Sequence, residues 1–198
     1  LDWDWNDISG NWHNWTPTNW PLKIKVNQTE WLNYDWVNDY LILPNAVINW
    51  GSNLLSLSFN IKFDVTWWNR AILMTARTGQ WINIYYSWWS IIFSKPNVVD
   101  LSYTWTQDTK RHNWTFRSDW VWMYIDLDWV NVASNTNTAN WISPSTDTLT
   151  VSAYKSNWSL QAGWYLDWDI ISPKIWNTKL TNKESEQEYY LSNLNTFN

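Results

Sequence analysis

Leu54-Leu55-Ser56-Leu57-Ser58-Phe59-Asn60-Ile61-Lys62-Phe63 decides the fold class. Apolar and polar residues alternate along it. In an extended chain Leu55, Leu57, Phe59, Ile61 and Phe63 share one face, and Ser56, Ser58, Asn60 and Lys62 share the other. That pattern predicts a half-buried strand. Outward from it, short apolar runs bounded by turn residues recur at 22–26, 40–43, 71–76, 82–86, 91–94 and 98–103. They continue at 115–117, 123–127, 130–133, 148–153 and 170–176, the spacing of an all-β sandwich. Two hairpins are expected: 82–86 to 91–94 across Ser87-Trp88-Trp89-Ser90, and 123–127 to 130–133 across Asp128-Trp129.

The turns carry an anomaly. The chain has 23 Trp and only 4 Gly in 198 residues, where average usage predicts roughly 14 Gly. Thirteen of the 23 Trp follow Asp or Asn, and none of Gly10, Gly51, Gly79 and Gly163 does. Asp-Gly and Asn-Gly are the strongest tight-turn dipeptides, because the turn needs positive φ and glycine has no Cβ to clash. The pattern reads as UGA codons that the source translates as glycine. A non-glycine residue in the left-handed region costs about 1–2 kcal/mol. A dozen such sites would cancel a stability of roughly 5–15 kcal/mol. The alternative is a genuinely Trp-rich binder of glycans. Trp176, inside an apolar strand, reads as true tryptophan, Trp50 and Trp114 stay open between packed ring and bulge glycine, and the remaining twenty read as glycine.

Length fits one domain over residues 1–198, expected to be a segment of a larger protein. The net charge of −5 argues against nucleic acid, and no apolar run is long enough to span a membrane. With no cysteine there is no disulfide framework and no Cys-based zinc site. Only the C-terminal region reads as helical, with Thr181 as N-cap and Glu184, Glu186 and Glu188 favouring the first turns. Tyr189, Tyr190 and Leu191 are expected to cover the sandwich edge. Residues 134–147 are polar and turn-rich, and are expected to form a long exposed loop.

With glycine restored at the turns, four segments resemble the laminin-G-like jelly roll of the concanavalin A-like group. Ser9-Gly10-Asn11-Trp12-His13-Asn14-Trp15-Thr16 is similar to that family's opening. Tyr34-Asp35-Trp36-Val37-Asn38-Asp39-Tyr40-Leu41 resembles its aromatic-Asp-Gly-Val segment. Tyr124-Ile125-Asp126-Leu127-Asp128-Trp129-Val130 is similar to its Tyr-x-Asp-Gly-Val hairpin, with two residues extra. Tyr165-Leu166-Asp167-Trp168-Asp169-Ile170, leading to Pro173-Lys174-Ile175-Trp176-Asn177, resembles its closing strand. The segments occur in family order. Lys110-Arg111-His112 departs from the Trp-His pair the family often shows. The resemblance implies a jelly-roll β-sandwich of two antiparallel sheets. It also implies a non-catalytic recognition or adhesion module of an extracellular or surface protein, sometimes calcium-dependent, with glycan or another polymer as partner.

Two rival functions stay open, a sandwich-fold glycoside hydrolase or lyase and a structural spacer without ligand. A glycosidase usually needs two carboxylates flanking the bond, about 5.5 Å apart if retaining and wider if inverting. The chain has four Glu (Glu30, Glu184, Glu186 and Glu188), and the strand-borne Glu-x-Asp-x-x-Glu pattern of sandwich glucanases is missing. No catalytic residue is therefore assigned. Candidate ligand-binding platforms are Tyr85, Tyr86 and Tyr103. For calcium, Asp2, Asp4, Asn6 and Asp7 form an oxygen-rich cluster that reads as an ion loop or as a solvated, turn-rich segment. Asp35 and Asp39, beside Asn38, read as metal ligands or as turn caps. His13 and His112, the two histidines, read as structural or exposed.

Overall fold

The computed structural model describes residues 16–18, 22–26, 29–33, 40–43, 54–63, 70–75, 82–95, 100–106, 108–136, 149–152, 154–156, 159–161 and 168–194. In chain order the strands are β1 (Thr16–Thr18), β2 (Leu22–Val26), β3 (Thr29–Asn33), β4 (Tyr40–Leu43), β5 (Leu55–Phe63) and β6 (Arg70–Thr75). They continue with β7 (Asn83–Ser87), β8 (Ser90–Ser94), β9 (Leu101–Thr104), β10 (Arg111–Ser118), β11 (Trp122–Leu127) and β12 (Val130–Thr136). Then follow β13 (Leu149–Val151), β14 (Tyr154–Ser156), β15 (Ser159–Gln161), β16 (Trp168–Trp176) and the helix α1 (Asn182–Leu194).

Two seven-stranded sheets face each other, in the orders β1-β4-β13-β6-β7-β8-β9 and β12-β11-β10-β5-β16-β3-β2, and β14 pairs with β15. Pairing is antiparallel, as in β5 between β10 and β16. The predicted β-sandwich with a short C-terminal helix is what the chain forms. Its core lies between the sheets, with Leu57, Phe59 and Ile61 of β5 beside Trp114 and Phe116 of β10. Across the gap, Ile84 and Phe93 complete it. Phe116 sits edge-on to Phe59 at 6.3 Å and to Phe93 of the opposite sheet at 5.7 Å, the geometry ring quadrupoles favour.

The half-buried expectation for β5 needs correcting. Ser56, Ser58 and Asn60, on its polar face, are buried as well. Their hydrogen bonds are made within the protein. Asn113 Nδ2 donates to Ser58 Oγ at 3.1 Å and to Asn60 Oδ1 at 3.0 Å, and Leu180 N–H donates to Ser56 Oγ at 2.8 Å. Burial without such partners would cost kilocalories per group.

The helix docks by the same polar logic. Thr181 and Glu184 form a reciprocal capping box: Glu184 N–H donates to Thr181 Oγ1 at 3.2 Å and Thr181 N–H to Glu184 Oε2 at 2.7 Å. Arg117 of β10 and Asp126 of β11 are 3% and 1% exposed and pair through both carboxylate oxygens, at 2.6 and 3.0 Å. Arg117 Nη1 also donates to Leu180 O and Asn182 Oδ1, each at 3.0 Å, while Ser185 Oγ donates to Asp126 Oδ2 at 3.0 Å. Lys174 bonds Glu188. Ser185 and Glu188 are the buried helix residues, whereas Tyr190 and Leu191 are exposed and Tyr189 half-buried. The expected aromatic seal is thus replaced by a buried ion pair.

Other expectations shift locally. β10 starts at Arg111 rather than 115, and β12 runs on to Thr136, so 134–136 is strand. The rest of the expected loop, 137–147, lies outside the described residues. A bulge between Ile125 and Asp126 interrupts the β11–β12 register, and Asn131 Nδ2 fills it by donating to Ile125 O at 3.2 Å and to Asp126 Oδ1 at 3.0 Å. Both predicted hairpins close with paired flanks, Ser87 against Ser90 and Leu127 against Val130.

Candidate functional site at the His112 end of the sandwich

The two hairpin turns hold the positive φ values that the sequence pattern anticipates. Trp88 and Trp89 have φ of 45° and 70°, and Asp128 and Trp129 have 47° and 65°. Positive φ at both central residues is the requirement of a type I′ turn, whose twist matches its strands. The rings gain little burial in return: Trp88 is 77% exposed, and Trp89 and Trp129 are exposed too. Ser152, at 73°, is the one further described non-glycine residue of this kind.

Both turns belong to one end of the sandwich, and Trp105 joins them. Its backbone N–H donates to Trp89 O at 2.8 Å. Its buried ring stands edge-on to Trp114 at 5.3 Å and to His112 at 5.5 Å. His112 continues the core-facing row of β10, since it pairs with Ile61 as Trp114 pairs with Phe59. At the end of that row the imidazole meets two carboxylates. Nδ1 lies 2.7 Å from Asp128 Oδ2 and Nε2 lies 2.8 Å from Asp108 Oδ1. Asp128 is fixed further by Asn113 N–H, which donates to Oδ1 at 2.9 Å.

The electrostatics follow from this geometry. The bond to Asp128 raises the His112 pKa above its ordinary value; partial burial opposes the rise, and the bond to Asp108 adds to it. Asp108 is pushed upward by desolvation, but the His112 and Lys110 bonds outweigh that and hold its carboxyl below the usual range. Sequence reading missed this assembly, because Asp108, His112 and Asp128 have no recognisable motif spacing. The one legible element was Asp128, as the first residue of a primed turn.

The candidate platforms separate. Tyr86 is 2% exposed and belongs to the core, so it offers no face to a ligand. Tyr103 is half-buried and packs against that core, its ring 6.4 Å from Trp114. Tyr85 points the other way, as strand alternation demands. Its hydroxyl donates to Asp100 Oδ2 at 3.3 Å, and desolvation, with Asp100 adding to it, raises its pKa to about 12. The metal candidates Asp2, Asp4, Asn6, Asp7, Asp35 and Asp39, together with His13, lie outside the described residues. Among the described residues no three His, Cys, Asp or Glu side chains are grouped to hold a metal ion.

No family model matches the chain, and no curated protein does. Solved structures do. The receptor binding domain of botulinum neurotoxin D superposes with a TM-score of 0.78 at 13% identity, covering 96% of this chain and 50% of that one. The binding domain of Paraclostridial Mosquitocidal Protein 1 gives 0.75 at 12%, covering 94% and 49%. The shared fold is a β-sandwich. A Trypanosoma rangeli sialidase, solved with 2,3-difluorosialic acid, shares it at TM-score 0.67 and 9% identity, over 94% of this chain and 30% of the sialidase. The chain thus spans about half the length of the toxin binding domains it matches. No described helix is long and apolar enough to cross a membrane.

Proposed function

We propose that the chain is a non-catalytic recognition module of a larger secreted or surface protein, binding carbohydrate or another polymer through the turns at one end of its sandwich. The observation that carries this reading is how five of the described carboxylates are engaged. Asp126 is held by Arg117, Asp119 by Lys179, Glu188 by Lys174, and Asp108 and Asp128 by His112. A glycosidase needs one carboxyl free to protonate the leaving group and a second facing the sugar; these carboxylates instead hold the fold together. The similar structures, a receptor binding domain and a binding domain, lend support. The resemblance of four segments to the laminin-G-like jelly roll supports an adhesion role, and the same proposal takes Asp2, Asp4, Asn6 and Asp7, or Asp35 and Asp39, as calcium ligands. A glycan array run with calcium and with chelator tests the reading, with retention of a polysaccharide class expected. Release of reducing sugar from the same panel would overturn it.

The glycine reading of the turn tryptophans belongs to the same proposal. Trp88, Trp89 and Trp129 support it, since each combines positive φ with an exposed ring. Trp120, Trp122 and Trp168, read as glycine from sequence, have no positive φ and lend it no support. Trp105 departs from it and is read here as tryptophan, because its ring fills the core between His112 and Trp114. Trp114, open from sequence, is a fully buried packed side chain. Codons and peptide masses from the natural source decide each position, with UGA and glycine expected at 88, 89 and 129. UGG at all three would sink the reading.

A further inference from the structure

Asp108, His112 and Asp128 form the one described cluster of titratable side chains whose partnership requires a group that titrates near neutrality. We propose that they are a pH-operated clamp, which holds the chain at Asp108 against the end of the sandwich while the imidazole is charged and releases it once the proton leaves. The proposal goes beyond the recognition reading and needs no ligand.

The argument rests on counting donors. Both ring nitrogens face carboxylate oxygens, at 2.7 and 2.8 Å. A carboxylate only accepts, so both bonds exist together only in the imidazolium, which donates from each nitrogen. Neutral imidazole has one N–H. One nitrogen then turns a lone pair towards a carboxylate oxygen, and attraction becomes repulsion.

The two arms are unequal, which decides the arm that opens. Asp128 sits in the I′ turn between paired strands, and Asn113 N–H holds its second oxygen. Asp108 is on a strand connection, its side chain 41% exposed, and its other bond is local, accepted from Lys110 N–H at 3.1 Å. The remaining proton therefore stays on Nδ1 towards Asp128, and Asp108 is released. Because Trp105 packs on His112, movement of that connection disturbs the edge of the Trp105–Trp114 pair. Among the described residues, the charged and titratable surroundings of the ring are few. Asp108 and Lys110 lie on the connection and Asp128 on the turn, while α1 contributes Tyr189, which feels the Asp128 charge. β5 places Ile61 opposite the histidine and Lys62 opposite Arg111.

NMR titration of the 198-residue protein, with hydrogen exchange of residues 105–111 corrected for the intrinsic pH dependence, tests the clamp. The His112 midpoint is expected above that of an unperturbed histidine, and protection of 105–111 is expected to fall several-fold through that midpoint. Asp108→Asn should lower the midpoint and loosen the segment at every pH. His112→Gln should abolish the pH step. Protection that stays level across the His112 titration, or an Asp108→Asn midpoint equal to that of the parent, would overturn the proposal, and neither depends on His112→Gln folding.

Discussion

Strand β10 carries two ionic assemblies, centred five residues apart on His112 and Arg117, that do opposite jobs. Arg117 lies on the outer face beneath α1 and His112 at the rim of the core face. Arg117 and Asp126 are buried and bonded on all sides by Asn131, Ser185, Asn182 and a backbone carbonyl. His112 joins two carboxylates of intermediate exposure and can lose its charge. A buried bidentate pair held by further hydrogen bonds on both members acts as a fixed joint. One built on imidazole, with an exposed arm, is conditional.

The largest test of this contrast is to break the fixed joint. Arg117→Ala or Asp126→Ala should each cost about 3–5 kcal/mol in urea unfolding, because each strands a buried charge. Replacing both by apolar residues of similar volume should cost far less. If the single substitutions cost no more than an exposed pair, roughly 0–1 kcal/mol, the joint does not secure the helix.

At the other end, Trp88→Gly, Trp89→Gly and Trp129→Gly should each raise stability by about 1–2 kcal/mol, the relief of a left-handed non-glycine residue. Thermal unfolding of the three variants measures this. Trp105→Gly should destabilise, since it removes a buried ring. Thr181→Ala, which removes the helix cap, should cost about 1 kcal/mol.

The smallest net effect is expected with pH, because two slopes oppose. His112 has a folded pKa raised above 6.5, so its stabilisation is complete below that value and disappears as pH rises through the folded value. Lys95 is buried, its Nζ 3.5 Å from Ser118 Oγ, and burial lowers its pKa to about 8 from 10.5. Between those values the unfolded chain binds more protons, so stability climbs with pH. His112→Gln should leave the rising slope alone, and Lys95→Met the falling one. Urea midpoints across pH 6–10 separate the two.

Where local chemistry sufficed, the sequence was readable. Asp128-Trp129 and Ser87-Trp88-Trp89-Ser90 announced primed turns, and Thr181 with Glu184 announced a cap, because a few adjacent atoms settle such features. β10 was read as three residues instead of eight because Arg111, His112 and Asn113 look like a loop. Asn113 is tolerated in the interior because Ser58 and Asn60 of β5 supply its partners, and half-buried His112 because Asp108 and Asp128 do. Tyr85 and Tyr86 were equivalent in sequence, and only the opposite sheet decided which of them enters the core.

Alternation and turn chemistry thus determined by themselves that this chain folds as a β-sandwich, and where its hairpins bend. Which polar residues became a buried joint, which became a titratable clamp, and which tryptophans pack were decided by the tertiary structure alone. The physical reason is that alternation and turn geometry act between neighbours in sequence, whereas desolvation and charge pairing depend on groups such as Asp108, Asp128 and Ser185, which the fold alone brings to β10.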